Sequence, residues 1–179
     1  MAIDKKMEEA INRQINAELY SAYLYLSMAS WFEEQNLLGF TNWMKCQYLE
    51  ETMHGMKFYN FLNDRGGRAL LTAIDSPNTK WKSPLEVFEE VYAHEQKVTA
   101  LVNDLVYLSK EIRDYASESL LKWFIDEQVE EEATADQIVS RLKLIGNEPS
   151  ALLLLDQELA ARAVSALALP TILGQPGGA

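Results

Sequence analysis

Glu51 and His54 are a carboxylate and an imidazole three residues apart, a spacing that puts both side chains on one face of a helix. Both fall where the surrounding pattern calls for apolar residues. Phe40, Met44, Gln47, Glu51, His54, Phe58 and Phe61 follow steps of four and three, the buried seam of an amphipathic helix. Three further stretches carry the same contradiction. Ile11, Ile15, Glu18, Ala22, Tyr25 and Ala29 put Glu18 in a seam, and Phe88, Val91, Glu95, Val98, Val102 and Leu105 do so for Glu95. Leu121, Phe124, Gln128, Glu131, Ala135, Ile138 and Leu142 place both Gln128 and Glu131. The spacing repeats: Glu51 follows Glu18 by 33 residues, Gln128 follows Glu95 by 33, and positions 18/95, 51/128 and 54/131 are each 77 apart. The chain reads as two related helix pairs, each giving one Glu and one i, i+3 polar pair.

A buried carboxylate is unstable unless it is neutralised or hydrogen-bonded. Several Glu and one His converging in a core would repel one another or take up protons, and no seam Lys or Arg balances them. A cation resolves the conflict. Carboxylate oxygens with one imidazole nitrogen suit iron or manganese better than thiolate-seeking metals, with zinc as a competitor. The metal-free alternative is a buried hydrogen-bonded Glu51/His54 pair. His94-Glu95 begins a His-Glu-x-x-His pattern, but Val98 stands where the second His is required, so the zinc-protease reading fails.

The 179 residues are enough for one domain with a substantial core. A formal net charge of −11 argues against nucleic acid and anionic membrane as partners and favours attraction of cations. The single cysteine, Cys46, allows no internal disulfide and fits a reducing cytoplasm. No apolar signal core begins the chain, and no apolar run is long enough to span a bilayer.

The elements that must position these residues are all helical. The pattern predicts helices over about 4–34, with Asp4 as N-cap, and about 40–64, stopping at Gly66-Gly67. A long connection, about 67–83 and containing Pro77, predicts an overhand crossover that sets the third helix parallel to the second. Ser83-Pro84-Leu85-Glu86 is a strong start signal for a third helix running to about Lys110. A link near 113–115 leads to a fourth helix over about 116–145 and, beyond Gly146-Asn147-Glu148-Pro149, a short fifth over about 150–163. Its leucines need a surface to cover, for which a symmetric subunit contact is one option. Residues 1–163 read as one domain and 164–179, with Pro170, Pro176 and Gly177-Gly178, as a flexible tail.

Over roughly residues 3–162 the chain resembles the prokaryotic non-haem ferritins. The matching stretches are Gln14-Ile-Asn-Ala-Glu18-Leu-Tyr-Ser21, Glu50-Glu51-Thr-Met-His54, His94-Glu95-Gln96 and Asp126-Glu127-Gln128-Val-Glu-Glu-Glu132. The resemblance implies a ferritin-like four-helix bundle with a long crossover and a short fifth helix, holding a di-iron centre. It implies that Glu18, Glu51 and His54 hold one iron and that Glu51, Glu95 and Glu131 hold the second, with Glu51 bridging. Gln128 would lie beside the pair and hydrogen-bond a bound oxygen species. Glu50, Glu127 and Glu130 would form a third, transit site; a solvated acidic face is the plainer account of them. Tyr25, two turns from Glu18, would donate an electron, unless it is simply core.

The family further implies a homo-oligomeric cage, usually of 24 subunits, that oxidises Fe(II) with O2 or peroxide and stores ferric mineral. Haem-binding relatives carry a second Glu-x-x-His and a Met directly after the helix-two Glu. Here Glu131 and Thr52 occupy those places, so no haem is expected. Two other functions remain open on the residues: a soluble di-iron oxidase or peroxidase without storage, and a structural or metal-buffering bundle holding a redox-inert ion.

Overall fold

The computed structural model describes residues 2–164, so most of the tail expected over 164–179 lies outside the described residues. Five helices and no strand occur among them: α1 (Lys5–Glu34), α2 (Leu38–Asp64), α3 (Pro84–Glu111), α4 (Tyr115–Ile145) and α5 (Pro149–Leu159). The all-helical class and the helix order agree with the sequence pattern. Three boundaries differ. Helix α2 starts two residues earlier than expected, α4 starts at Tyr115, and α5 stops at Leu159 rather than running to 163.

The chain divides into two compact units. One is built on Ile11–Lys80 and takes in the chain from Ser150; the other is built on Trp81–Pro149 and takes in Asp4–Ala10.

In the first unit α1 turns into α2 through Gln35–Leu37, with Asn36 in the left-handed region at φ 57° and Leu37 N–H donating to the Phe32 carbonyl. Asn tolerates that conformation better than most non-glycine residues. The two helices run antiparallel. Phe32 stacks on Phe40, Tyr25 meets Trp43 edge to face, and Gly55 lies against the Glu18 and Leu19 side chains. The connection after α2 has no regular structure, yet its backbone is held. Asn12 Nδ2 donates to the Arg68 carbonyl, Asn16 Nδ2 to that of Ala73, and Ser27 Oγ to that of Asn78. The connection therefore follows α1 in α1's own direction, and polar side chains on α1 satisfy backbone groups that lack a ladder.

Helix α5 supplies what α2 lacks. The N-cap of α2 is Leu37, which has no side-chain acceptor. Asp156 substitutes for it from 117 residues away, its Oδ1 accepting from Gly39 N–H at 2.8 Å and Phe40 N–H at 3.0 Å. The approach is so close that a Cβ at Gly39 would sit 1.6 Å from the Asp156 carbonyl oxygen. Leu155 and Leu159 are buried, while Leu153 and Leu154 stay more than half exposed. Asp156→Ala is expected to cost about 1–2 kcal/mol, the value of an N-cap. Gly39→Ala is expected to cost more, because it displaces α5 backbone. Urea unfolding of both variants checks this, and equal stability to wild type would show that α5 contributes no cap.

In the second unit Ser83 Oγ accepts from Glu86 N–H, and Glu86 returns a carboxylate oxygen to Lys82 N–H, closing the capping signal seen in the sequence. Asp114 caps α4, accepting from Ser117 N–H and Ser117 Oγ. Arg113, at φ 56°, makes the reversal between α3 and α4. Lys143 pairs with Glu89, and Gln128 and Glu132 reach Glu95 and Thr99, so these helices also run antiparallel.

Candidate metal centre

Glu18 on α1 and Glu51 and His54 on α2 are each only 1% exposed, and their candidate ligand atoms all lie within 4.8 Å of one another. The α2 seam delivers Glu51 and His54 to the interior as i, i+3 neighbours, with His54 Nδ1 3.5 Å from Glu51 Oε2. Gln14, one turn before Glu18, donates from Nε2 to Glu18 Oε1 at 2.8 Å. The other Glu18 oxygen, Oε2, is buried and receives no hydrogen bond. Burial, and then the neighbouring Glu51 carboxylate, push the Glu18 pKa up to about 8; His54 and Gln14 pull the other way without cancelling it. Two carboxylates facing one another without a cation favour a shared proton. A divalent cation replaces that proton with two charges and gives the Glu18 oxygen a partner. The donor set of two carboxylates and an imidazole fits a hard to borderline divalent ion such as Fe(II).

The second unit presents its own polar interior. Glu95 is 1% exposed, Gln128 4% and Glu131 7%. Gln128 Nε2 donates to Glu95 Oε2 at 3.2 Å, and it lies 3.4 Å from both the Glu95 carbonyl and Thr99 Oγ1. All six seam residues singled out in the sequence are thus buried, three in each unit.

The flank residues differ from them and from one another. Glu127 is half-buried and Glu130 exposed. Glu50 is half-buried and ion-paired with Arg162, whose guanidinium carbon lies 4.5 Å from the centre of the Trp43 ring. The Arg162 carbonyl accepts from Asn42 Nδ2 and Cys46 Sγ. Cys46 is a packed thiol, and burial pushes its pKa up. Tyr25 is fully buried and packs against Trp43. His94 is half-buried; desolvation and Lys97 lower its pKa to about 4, which keeps the imidazole neutral near pH 7.

Sequence reasoning did not single out Gln14, Thr99, Glu132 or Arg162 as partners of site residues. Gln14 was findable as the i−4 neighbour of Glu18 on the same helix face. Arg162 lies beyond the end of α5, and no periodicity relates it to Glu50.

The fold and the buried donors define a class: all-helical proteins whose helix interiors present carboxylate, amide and imidazole groups. Residues 8–145 match the ferritin-like domain, and the chain belongs to that family. It is 43% identical over 160 residues to a bacterial non-heme ferritin of Staphylococcus saprophyticus, covering 89% of this chain and 96% of that protein. It is 41% identical, with the same coverage, to a bacterial non-heme ferritin of Staphylococcus haemolyticus. Among solved structures it resembles an open pore ferritin from the hyperthermophilic archaeon Archaeoglobus fulgidus, with 52% identity and a TM-score of 0.89 over 90% of this chain and 100% of that one. A closed form of the A. fulgidus ferritin engineered by site-directed mutagenesis gives 52% identity and a TM-score of 0.90, over 92% and 100%. No helix among the described residues is long and apolar enough to cross a membrane.

Proposed function

We propose that this protein is an iron-storage ferritin that oxidises Fe(II) with O2 and holds the ferric product as mineral inside a cage of identical subunits, 24 by analogy with the family. The observation that supports it most directly is the buried Glu18–Glu51–His54 cluster, whose candidate ligand atoms lie within 4.8 Å of one another, in a chain of the ferritin-like family. In this proposal iron is substrate and cargo. Glu18, Glu51 and His54 take one Fe(II), and Glu95 and Glu131 serve a second. Gln128 contributes hydrogen bonds rather than charge. Each Fe(II) gives one electron to oxygen, and the protein's part is to supply the donors that hold the ions. Tyr25 is a candidate electron donor two turns from Glu18, and its burial keeps such a radical away from bulk water. Glu50, Glu127 and Glu130 are candidates for the transit of product, with Glu50 available to iron only as Arg162 yields it. The net charge of −11 favours the approach of cations.

Aerobic loading with a large excess of Fe(II), followed by size-exclusion chromatography with iron and protein detected together, tests the proposal. Iron far beyond a few atoms per chain, eluting with a large assembly, is expected. A few atoms per chain on a small species would remove storage and leave a soluble di-iron oxidase.

A further inference from the structure

Gln128 has an amide whose two ends do different chemistry, and its surroundings decide which end faces Glu95. Thr99 lies one turn beyond Glu95 on α3, and Glu132 one turn beyond Gln128 on α4. The Thr99 hydroxyl donates to Glu132 Oε1 at 2.5 Å. A hydroxyl has a single proton. With that proton committed to a carboxylate, Thr99 Oγ1 can only accept on its remaining side, where Gln128 Nε2 lies 3.4 Å away. The same nitrogen donates to Glu95 Oε2 at 3.2 Å. The reverse orientation would put the amide oxygen against Glu95 Oε2 and against the lone pairs of Thr99, repulsive on both sides. Amide orientation follows from such networks, and here the network begins at a carboxylate, which cannot donate. Thr99, Gln128 and Glu132 also line a cleft of about 380 Å³ between α3 and α4. Glu132 is half-buried there.

We infer that Thr99 and Glu132 are positioning residues for the iron site: through a one-way chain of hydrogen bonds they fix Gln128 as a donor to Glu95, and so hold the Glu95 carboxylate in place for the second metal ion. The inference rests on the proposed role of Glu95 as an iron ligand. Gln128 is then not itself a metal ligand through its nitrogen, and its carbonyl oxygen faces away from Glu95. Partners that orient ligands typically change metal affinity 10–100-fold.

The test is an anaerobic titration of the metal-free full-length protein with Co(II) alone, followed by its visible absorption, which reports coordination without any turnover. Thr99→Val keeps the shape and removes both hydrogen bonds. It is expected to weaken the second Co(II) step about 10-fold, to alter its spectrum, and to leave the first step unchanged. Thr99→Ser restores the hydroxyl and is expected to restore the second step. Glu132→Gln puts an amide that can donate as well as accept beside Thr99, which releases the one-way chain, and is expected to weaken the second step in the same direction as Thr99→Val. Far-ultraviolet circular dichroism confirms that each variant is folded. A Thr99→Val protein with wild-type affinity and spectrum in the second step would overturn the inference, and so would a Thr99→Ser protein that fails to recover. Glu95→Ala separates this from the site assignment: if it leaves two Co(II) steps intact, Glu95 is not a ligand and the reading beneath the inference fails instead.

Discussion

Glu51→Gln is expected to slow the initial rate of aerobic Fe(II) oxidation by at least about 100-fold, more than the loss of a partner that only orients a ligand, while making the metal-free protein more stable. The two effects share a cause. Glu51 is buried beside Glu18 and is the largest charged contributor to the raised Glu18 pKa. Without metal, the pair sits in a desolvated core where only a bound proton relieves the conflict between two carboxylates. A glutamine has the same shape, carries no charge, and can donate to the Glu18 oxygen that now receives no hydrogen bond. Supplying that bond contributes about 1–2 kcal/mol. The same change removes one of the three donors that lie within 4.8 Å of each other. Stopped-flow oxidation and thermal unfolding of chelator-treated protein measure the two quantities. A variant with wild-type rates would sink the site assignment. A variant less stable than wild type without metal would show that Glu51 is held by favourable contacts rather than kept for its ligand.

The helix seams were legible because burial and periodicity are local in sequence. Residues three and four apart share a face whatever the tertiary fold does, so the pattern alone identifies Glu18, Glu51, His54, Glu95, Gln128 and Glu131 as buried. The capping of α3 by Ser83 and Glu86 was legible for the same reason. Contacts between distant segments were not. The Asp156 cap on α2 spans 117 residues and uses an aspartate that looks like any other in an amphipathic terminal helix. Gly39 falls just outside the helix expected over about 40–64. Here it is inside α2, where the α5 backbone leaves no room for a Cβ. Glu50 was read among acidic flank residues, and nothing near it in sequence indicates a guanidinium. The pairing with Arg162 makes it unlike exposed Glu130. The sequence thus reports what each helix buries, while the partner of a half-buried charge depends on which chain segment comes to lie over it.

The metal-free protein is expected to lose stability as pH rises from about 4.5 to about 8, and a divalent cation is expected to abolish that loss. In the unfolded chain Glu18 titrates near the ordinary carboxylate value of 4.5, and in the fold near 8. Between those values the folded state holds one proton more than the unfolded state, so raising the pH favours unfolding. The contribution is fully present below 4.5 and is gone once the pH passes 8. Its size follows from about 1.4 kcal/mol per pKa unit, hence on the order of a few kcal/mol for this fully buried group. Many exposed carboxylates titrate over the acid part of the same range, so the informative quantity is the difference between wild type and Glu18→Gln, which should lack this slope. Cation binding must expel the Glu18 proton. Below pH 8 the affinity for Co(II) should therefore rise about tenfold per pH unit, with one proton released per ion at this residue, and should level off above it. Calorimetry in buffers of different ionisation enthalpy counts the proton directly. Proton release that is the same in wild type and Glu18→Gln would mean that Glu18 is already ionised in the fold. Burial beside Glu51 would then be offset by a hydration or hydrogen bond stronger than the one Gln14 provides.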